Sequence, residues 1–78
     1  MITYKMRSDW LVSEDNINYR AYGIDIFEEN KLIKSIKDIS LNKNAVDELV
    51  SKCNTLKVSI LHIEDVIQDF VQLCFLAD

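Results

Sequence analysis

Residues 19–36 read YRAYGIDIFEENKLIKSI, and this stretch decides the fold because it predicts two strands joined by a tight turn. Tyr19 to Glu28 is rich in aromatic and β-branched residues, which favour strands. Glu29-Asn30 is a workable turn because Asn tolerates a positive φ. Leu32 to Ile36 then returns as a further strand, which we expect to be short or at an edge because its alternation is imperfect.

The strand before the turn has two different faces. One face carries Tyr22, Ile24 and Ile26, and the other carries Ala21, Gly23, Asp25 and Phe27. Gly23 in a strand suggests a bulge or a close approach of another part of the chain.

Residues 2–12 predict a first strand, because apolar and polar residues alternate there as in a half-buried strand. The apolar set is Ile2, Tyr4, Met6, Trp10 and Val12, and the polar set is Thr3, Lys5, Arg7 and Asp9. Ser13 to Asn16 supplies a polar turn into the next strand.

The hydrophobic period changes after Asn42. Val46, Leu49, Val50 and Cys53 recur at helical spacing and predict a helix of about three turns, with Asn42 or Asn44 as its N-cap. Asn54, Thr55 and Lys57 form a short connection, and Ser59 is the expected N-cap of a second helix from Ile60 to about Leu76. We therefore expect one small α+β domain over residues 1–78, with a three-stranded antiparallel meander followed by an α-helical hairpin packed on one face.

The second helix has an apolar arc about 160° wide, which exceeds the roughly 100° stripe that one packed surface needs. This arc must touch both the sheet and the first helix, or a second copy of the protein. Its polar arc carries His62, Glu64, Asp65, Gln68, Asp69 and Gln72.

The charge of the chain argues against nucleic acid and membrane partners. The 78 residues carry a formal net charge of -4, and no Lys or Arg follows Lys57. Both kinds of partner are bound through clustered Lys and Arg. Lys31, Lys34 and Lys37 form a basic run, but they alternate faces along a strand. We expect no direct nucleic acid contact and no membrane contact.

The cysteines and the first residues favour the cytoplasm. Cys53 and Cys74 both fall in apolar patterns, so we expect two buried, reduced thiols. Residues 1–7 contain no uninterrupted apolar run of the kind found in signal peptides. Cytoplasmic localisation is therefore the expectation.

The second helix raises three possibilities for chemistry: a metal site, a Cys-His pair and a pair of carboxylates. His62, Asp65 and Asp69 share a helical face, but a metal site would need a further ligand from another element. A Cys-His pair would need an exposed thiolate beside His62, and Asp65 with Asp69 would need a desolvating pocket for acid-base work. We expect no catalytic residue, no cofactor and no metal, and so a protein that is not an enzyme.

Two surfaces of contact remain as hypotheses. The acidic face of the second helix (Glu64, Asp65 and Asp69), with Phe75, predicts a protein-interaction surface for another protein or for a second copy in a homodimer. Ala21, Gly23 and Phe27, with Leu73, Phe75 and Leu76, are the candidate dimer contacts. The alternative is a mobile-element or phage-type inhibitor that presents the acidic face to a nucleic-acid-processing enzyme.

The aromatic residues allow two interpretations. Tyr4, Trp10, Tyr19, Tyr22 and Phe27 would suit a base-stacking platform, but a core this small needs the same rings. We expect them in the core.

Three segments carry a resemblance to known proteins: Tyr22-Gly23-Ile24, Asp38-Ile39-Ser40, and residues 61–70, LHIEDVIQDF. In their order and spacing they resemble a family of short, functionally uncharacterised proteins of clostridial-type Firmicutes. The resemblance covers about Tyr19 to Phe70. It implies a source and a domain of unknown function, and it implies no site.

Overall fold

The computed structural model describes the backbone of residues 1–76 and the side chains of residues 1–73. The sheet is antiparallel with strand order β1-β2-β3, and two helices follow it in the chain. The elements are β1 (Ile2–Val12), β2 (Asn18–Glu28), β3 (Lys31–Ser40), α1 (Lys43–Thr55) and α2 (Ile63–Leu76). α1 contacts all three strands and α2 contacts β3. The predicted α+β class, a meander followed by two helices, is confirmed.

The core lies between one face of the sheet and the two helices. Because side chains alternate along a strand, Tyr4, Ile24 and Ile26 point to the same side, and all three are at most 1% exposed. The helices contribute Val46, Leu49, Val50, Cys53, Ile63 and Ile67 to the same cluster. The four residues chosen from the helical period of α1 are therefore its buried residues, as predicted.

The predicted turn and cap both form. Glu29 and Asn30 have φ values of 50° and 67°, the left-handed conformations that a two-residue hairpin turn of type I′ requires. Asn42 is the N-cap of α1, since its side chain accepts a hydrogen bond from the Ala45 N–H at 3.2 Å.

β3 is an edge strand, but it is longer than the sequence predicts. Pairing with β2 runs from Glu28 opposite Lys31 to Tyr22 opposite Ser40, with a shift in register between Tyr22 and Ile24. A step of two residues along β2 there corresponds to a step of four along β3. Asp38, within the longer step, has a φ of 57°. This bulge interrupts the alternation, which is why the sequence pattern ended at Ile36.

α2 begins at Ile63, three residues later than predicted. The His62 N–H donates to the Ser59 carbonyl at 3.0 Å, which closes a turn over residues 59–62. The Val66 N–H donates to the His62 carbonyl at 3.1 Å, and the helix begins with this bond. His62 therefore precedes the helix and does not lie in its first turn.

The aromatic residues divide between the core and the surface. Tyr4 is buried and Tyr22 packs against the core. Trp10 is 67% exposed, and the guanidinium carbon of Arg20 lies 4.6 Å from its ring centre. The prediction of Trp10 in the core is wrong. The β2–β3 pairing ends at Tyr22, so beyond it β1 and β2 continue as a two-stranded ribbon.

Tyr4 joins the edge strand β1 to the end of α1. Its backbone N–H donates to Asn54 Oδ1 at 2.9 Å, and its carbonyl accepts from Asn54 Nδ2 at 2.8 Å. The Tyr4 hydroxyl donates to the Val58 carbonyl at 2.5 Å. One amide side chain thus takes the place of a neighbouring strand at this point of the sheet edge.

We predict that Gly23→Ala destabilises the fold by about 2 kcal/mol or more, because overpacking against backbone leaves little room for adjustment. A Cβ at Gly23 would lie 2.1 Å from the carbonyl oxygen of Ile36. Urea unfolding measures the change. Ser8→Ala, at the exposed residue opposite Tyr22, is the control and should change stability little. Equal stability of the two variants would contradict the close approach.

We predict that Asn54→Ala costs about 1–3 kcal/mol of unfolding free energy, because it leaves two backbone groups of Tyr4 without their partner. Asn54→Asp should also destabilise, since it keeps the acceptor and loses the donor. Thr55→Ala, at the next exposed position of α1, is the matched control. Chemical denaturation compares the three, and a loss in Asn54→Ala no greater than that in Thr55→Ala would show that the pairing contributes nothing.

Candidate functional site

The two helices face each other across an open groove of about 500 Å³, called here the interhelical groove. Residues spaced by three and four along each helix line it, so each helix presents one continuous row. The row on α1 is Ala45, Glu48, Leu49 and Lys52, and the row on α2 is Val66, Asp69, Phe70 and Leu73. Five of these eight side chains are apolar and three are charged, which is typical of a site that takes an apolar partner and orients it with a few polar groups.

Part of the apolar arc of α2 stays exposed after the helix has docked. Ile63 and Ile67 are buried against the rest of the core, and Phe70 is half-buried. Leu73 is 68% exposed and Val71 is 42% exposed. The broad arc therefore exceeds what the sheet and α1 cover within the described residues.

The predicted acidic surface lies in three different environments. Glu64 is exposed and forms an ion pair with Lys34 of β3, and this ammonium group lowers the pKa of the Glu64 carboxyl. Asp65 is exposed, and Asp69 lies at the interhelical groove. The side chain of Phe75 lies outside the described residues. The structure thus brings Asp69 to the groove and turns Glu64 toward the sheet.

The candidate metal ligands and the candidate Cys-His pair do not come together among the described side chains. Among the described side chains, no group of three or more His, Cys, Asp and Glu residues lies close enough to hold a metal ion. His62 is exposed, whereas Cys53 is buried and reduced, and this burial raises the pKa of its thiol. A raised pKa keeps the thiol protonated and therefore unreactive. The side chain of Cys74 lies outside the described residues.

Two of the candidate dimer contacts on β2 are already buried within the protein. Ala21 is fully buried, Gly23 is buried beneath Ile36, and Phe27 is half-buried with the Lys5 ammonium 5.1 Å from its ring centre. Of the predicted dimer contacts whose side chains are described, Leu73 is the exposed one.

A charged network that the sequence interpretation missed lies on the sheet face away from the helices. Arg7 donates from Nε and Nη2 to both carboxylate oxygens of Asp9, at 2.9 and 2.8 Å, and from Nη1 to Asp25 at 2.9 Å. The Ser35 hydroxyl donates to the same Asp25 oxygen at 2.6 Å. The network therefore links all three strands. Strand alternation places Arg7 and Asp9 on one face, and this was the available signal.

The groove and the residues with a positive φ have weaker signals in the sequence than the Arg7 network. Helical periodicity identifies the residues that face the core, but it does not give the separation between two helices. Lys57 has a φ of 52°, and no local pattern marked it because glycine usually takes such a position. For the first reason, the sequence did not predict that Leu49, Lys52 and Phe70 line the groove.

These features define a small α+β protein with an open groove between its two helices, and no helix in the described part of the chain is long and apolar enough to cross a membrane. The chain belongs to a family of unknown function, DUF6514, whose model matches residues 1–73. The match extends beyond the segment from Tyr19 to Phe70 that carried the resemblance. No curated protein and no solved structure matches the chain.

We predict that the coupling between Arg7 and Asp9 depends on pH. Arg7 lowers the pKa of the Asp9 carboxyl below its ordinary value of 3.8, mainly through their hydrogen bonds. A carboxyl with a lowered pKa in the folded state stabilises the fold fully above the ordinary value, and this contribution is lost as the pH falls through the folded-state pKa. A double-mutant cycle of Arg7→Gln and Asp9→Asn by urea unfolding should show coupling at about pH 7 and weaker coupling at a pH below 3.8.

The same cycle with Lys43→Gln in place of Arg7→Gln is the control, because Lys43 is exposed at the start of α1 and forms no ion pair with Asp9. This cycle should show no coupling at either pH. Coupling between Arg7 and Asp9 that is as strong at low pH as at neutral pH would contradict the ionic origin of the network.

Proposed function

We propose that this chain is a non-enzymatic protein-interaction module that forms a homodimer through the C-terminal half of α2 and the interhelical groove. The observation that carries the proposal is the largely apolar groove, with Leu73 exposed in its wall and Val71 exposed on the same half of α2. A helix laid into an apolar groove is a recurrent mode of protein recognition.

The charge distribution restricts where a second copy can meet the chain. The chain has a net charge of -4, so two copies repel each other unless they meet through a segment without charge. Residues 70–76 read FVQLCFL, with one polar residue and no charged residue. A twofold contact through this segment brings apolar surfaces together and leaves Glu64 and Asp65 farther along the helix from the contact.

The environments of the reactive groups support the proposal that the protein is not an enzyme. Cys53 is buried and His62 is exposed, so among the described side chains the two do not form an activated pair. A reduced buried cysteine favours the cytoplasm as the location. The resemblance to clostridial-type proteins implies a Firmicute as the source, and the abundance of Ile, Lys and Asn agrees with an AT-rich genome of that kind.

The second hypothesis is an inhibitor that presents the acidic face of α2 to the basic groove of a nucleic-acid-processing enzyme. The pairing of Glu64 with Lys34 reduces the negative charge that this face offers. Asp65 and Asp69 are exposed and form no ion pair with the described residues. This arrangement favours the homodimer over the inhibitor.

We predict that the protein is a dimer in solution and that Leu73→Glu weakens the dimer at least about tenfold, because it places a charge in an apolar contact. Sedimentation velocity over a range of concentrations measures the dissociation constant. Leu61→Glu is the matched control, because Leu61 is an apolar residue 84% exposed outside the groove. The control should dimerise like the original protein.

Charge reversal separates the two hypotheses. Asp65→Lys should leave dimerisation in place, since Asp65 does not line the interhelical groove, whereas an inhibitor acting through the acidic face would be weakened. A monomer of 9.1 kDa at submillimolar concentration would refute the homodimer. Equal weakening by Leu73→Glu and Leu61→Glu would also refute it, because the contact would then not involve the groove.

A further inference from the structure

A second cavity, of about 560 Å³, lies where the start of β1 meets the connection between the helices. It is called here the connection pocket. Its lining residues are Met1, Ile2, Thr3, Asn54, Lys57, Val58 and Ser59. The volume falls within the range of small-molecule sites, roughly 300–1,000 Å³. None of these residues lines the interhelical groove, so the two sites are separate.

The wall formed by the connection is held in place by backbone hydrogen bonds. The Val58 N–H donates to the Cys53 carbonyl at 3.1 Å, and the Lys57 N–H donates to the Asn54 carbonyl at 3.3 Å. This pair of bonds is the Schellman motif that ends many helices. The Asn54 side chain, which bonds the Tyr4 backbone, ties the wall to β1. The pocket is therefore preformed.

Lys57 takes the left-handed position of this motif, with a φ of 52°. Glycine is the usual residue there because a side chain makes the conformation less stable. Replacing Lys57 with glycine would therefore relieve backbone strain. The chain nevertheless has a long cationic side chain here, in the wall of the pocket. Lys57 forms no ion pair with the described residues.

The edge of β1 adds a backbone donor to the pocket. The N–H and carbonyl of Tyr4 point away from β2, because both bond to Asn54. In an antiparallel pair the direction of these groups repeats every two residues, so the Ile2 N–H points to the same edge. Ile2 is one of the lining residues. A backbone N–H and an ammonium group at one site suit an anion, and the apolar side chains of Ile2 and Val58 suit a hydrocarbon body.

We propose that the connection pocket binds a small aliphatic carboxylate, with its head group on the Lys57 ammonium and the Ile2 N–H and its chain against Ile2 and Val58. The inference does not rest on the homodimer, because a monomer has the same pocket. Among the described residues that line it, Lys57 is the cationic side chain, and the amino group of Met1 is paired with Glu29.

The test is an NMR titration of the intact chain with octanoate. We expect the largest shifts at the amides of Ile2, Val58 and Ser59. Lys57→Gly should weaken binding about tenfold, the effect of losing one charged hydrogen bond, while raising the urea midpoint because glycine fits the left-handed position. Loss of binding is then separated from loss of folding. Lys57→Arg should retain binding.

Two controls give the test its specificity. Lys52→Gln removes the lysine of the interhelical groove and should leave octanoate binding unchanged. Octanol and octylammonium, at matched ionic strength, should bind more weakly than octanoate because they lack the negative charge. Unchanged affinity in Lys57→Gly, loss in Lys52→Gln, shifts confined to the groove, or equal binding of octanol would each overturn the proposal.

Discussion

The contacts of Tyr4 hold together the parts of the structure on which both candidate surfaces depend. Its ring is buried in the core, its two backbone groups pair with Asn54, and its hydroxyl bonds the Val58 carbonyl. Tyr4 is 50 positions from Asn54 and 54 positions from Val58 in the chain. The bonds to these two residues therefore fix the end of α1 and the start of the connection against the edge strand. Each hydrogen bond contributes only about 1 kcal/mol. Their importance is geometric, because the direction of the chain into α2 depends on where α1 ends.

Most of the fold could be predicted because its signals are local. The alternation of residues 2–12, the turn at Glu29-Asn30 and the cap at Asn42 each report on a few neighbouring residues, and each prediction is confirmed. The errors in β3 and at Trp10 occur where contacts distant in sequence override local pattern, whereas the late start of α2 comes from a local turn over residues 59–62. The bulge in β3 extends the strand past Ile36, and the exposed position of Trp10 follows from where the β2–β3 pairing ends. Neither is encoded in the period of its own segment.

The candidate site could be predicted only in part for the same reason. The sequence analysis placed Asp69 in the acidic face of α2 and Leu73 among the candidate dimer contacts, and both line the interhelical groove. The opposite wall, with Leu49 and Lys52, depends on the distance between two helices, which no periodicity reports. Lys57 was missed because a left-handed lysine has no sequence signature. The Arg7 network had a signal in strand alternation, but its partner Asp25 lies eighteen residues away.

Exposed apolar residues alone do not distinguish the groove, because a small domain cannot cover all its apolar surface. Trp10, Val12 and Ile17 are each more than 60% exposed at the far end of the β1–β2 ribbon. They form no cavity among those described, whereas Leu73 belongs to a concave row with Val66 and Phe70. Concavity matters because a partner that fills it loses contact with water on several sides at once, so more apolar area is buried for each ordered side chain. The groove is for this reason a stronger candidate than the ribbon, although the ribbon residues are similarly exposed.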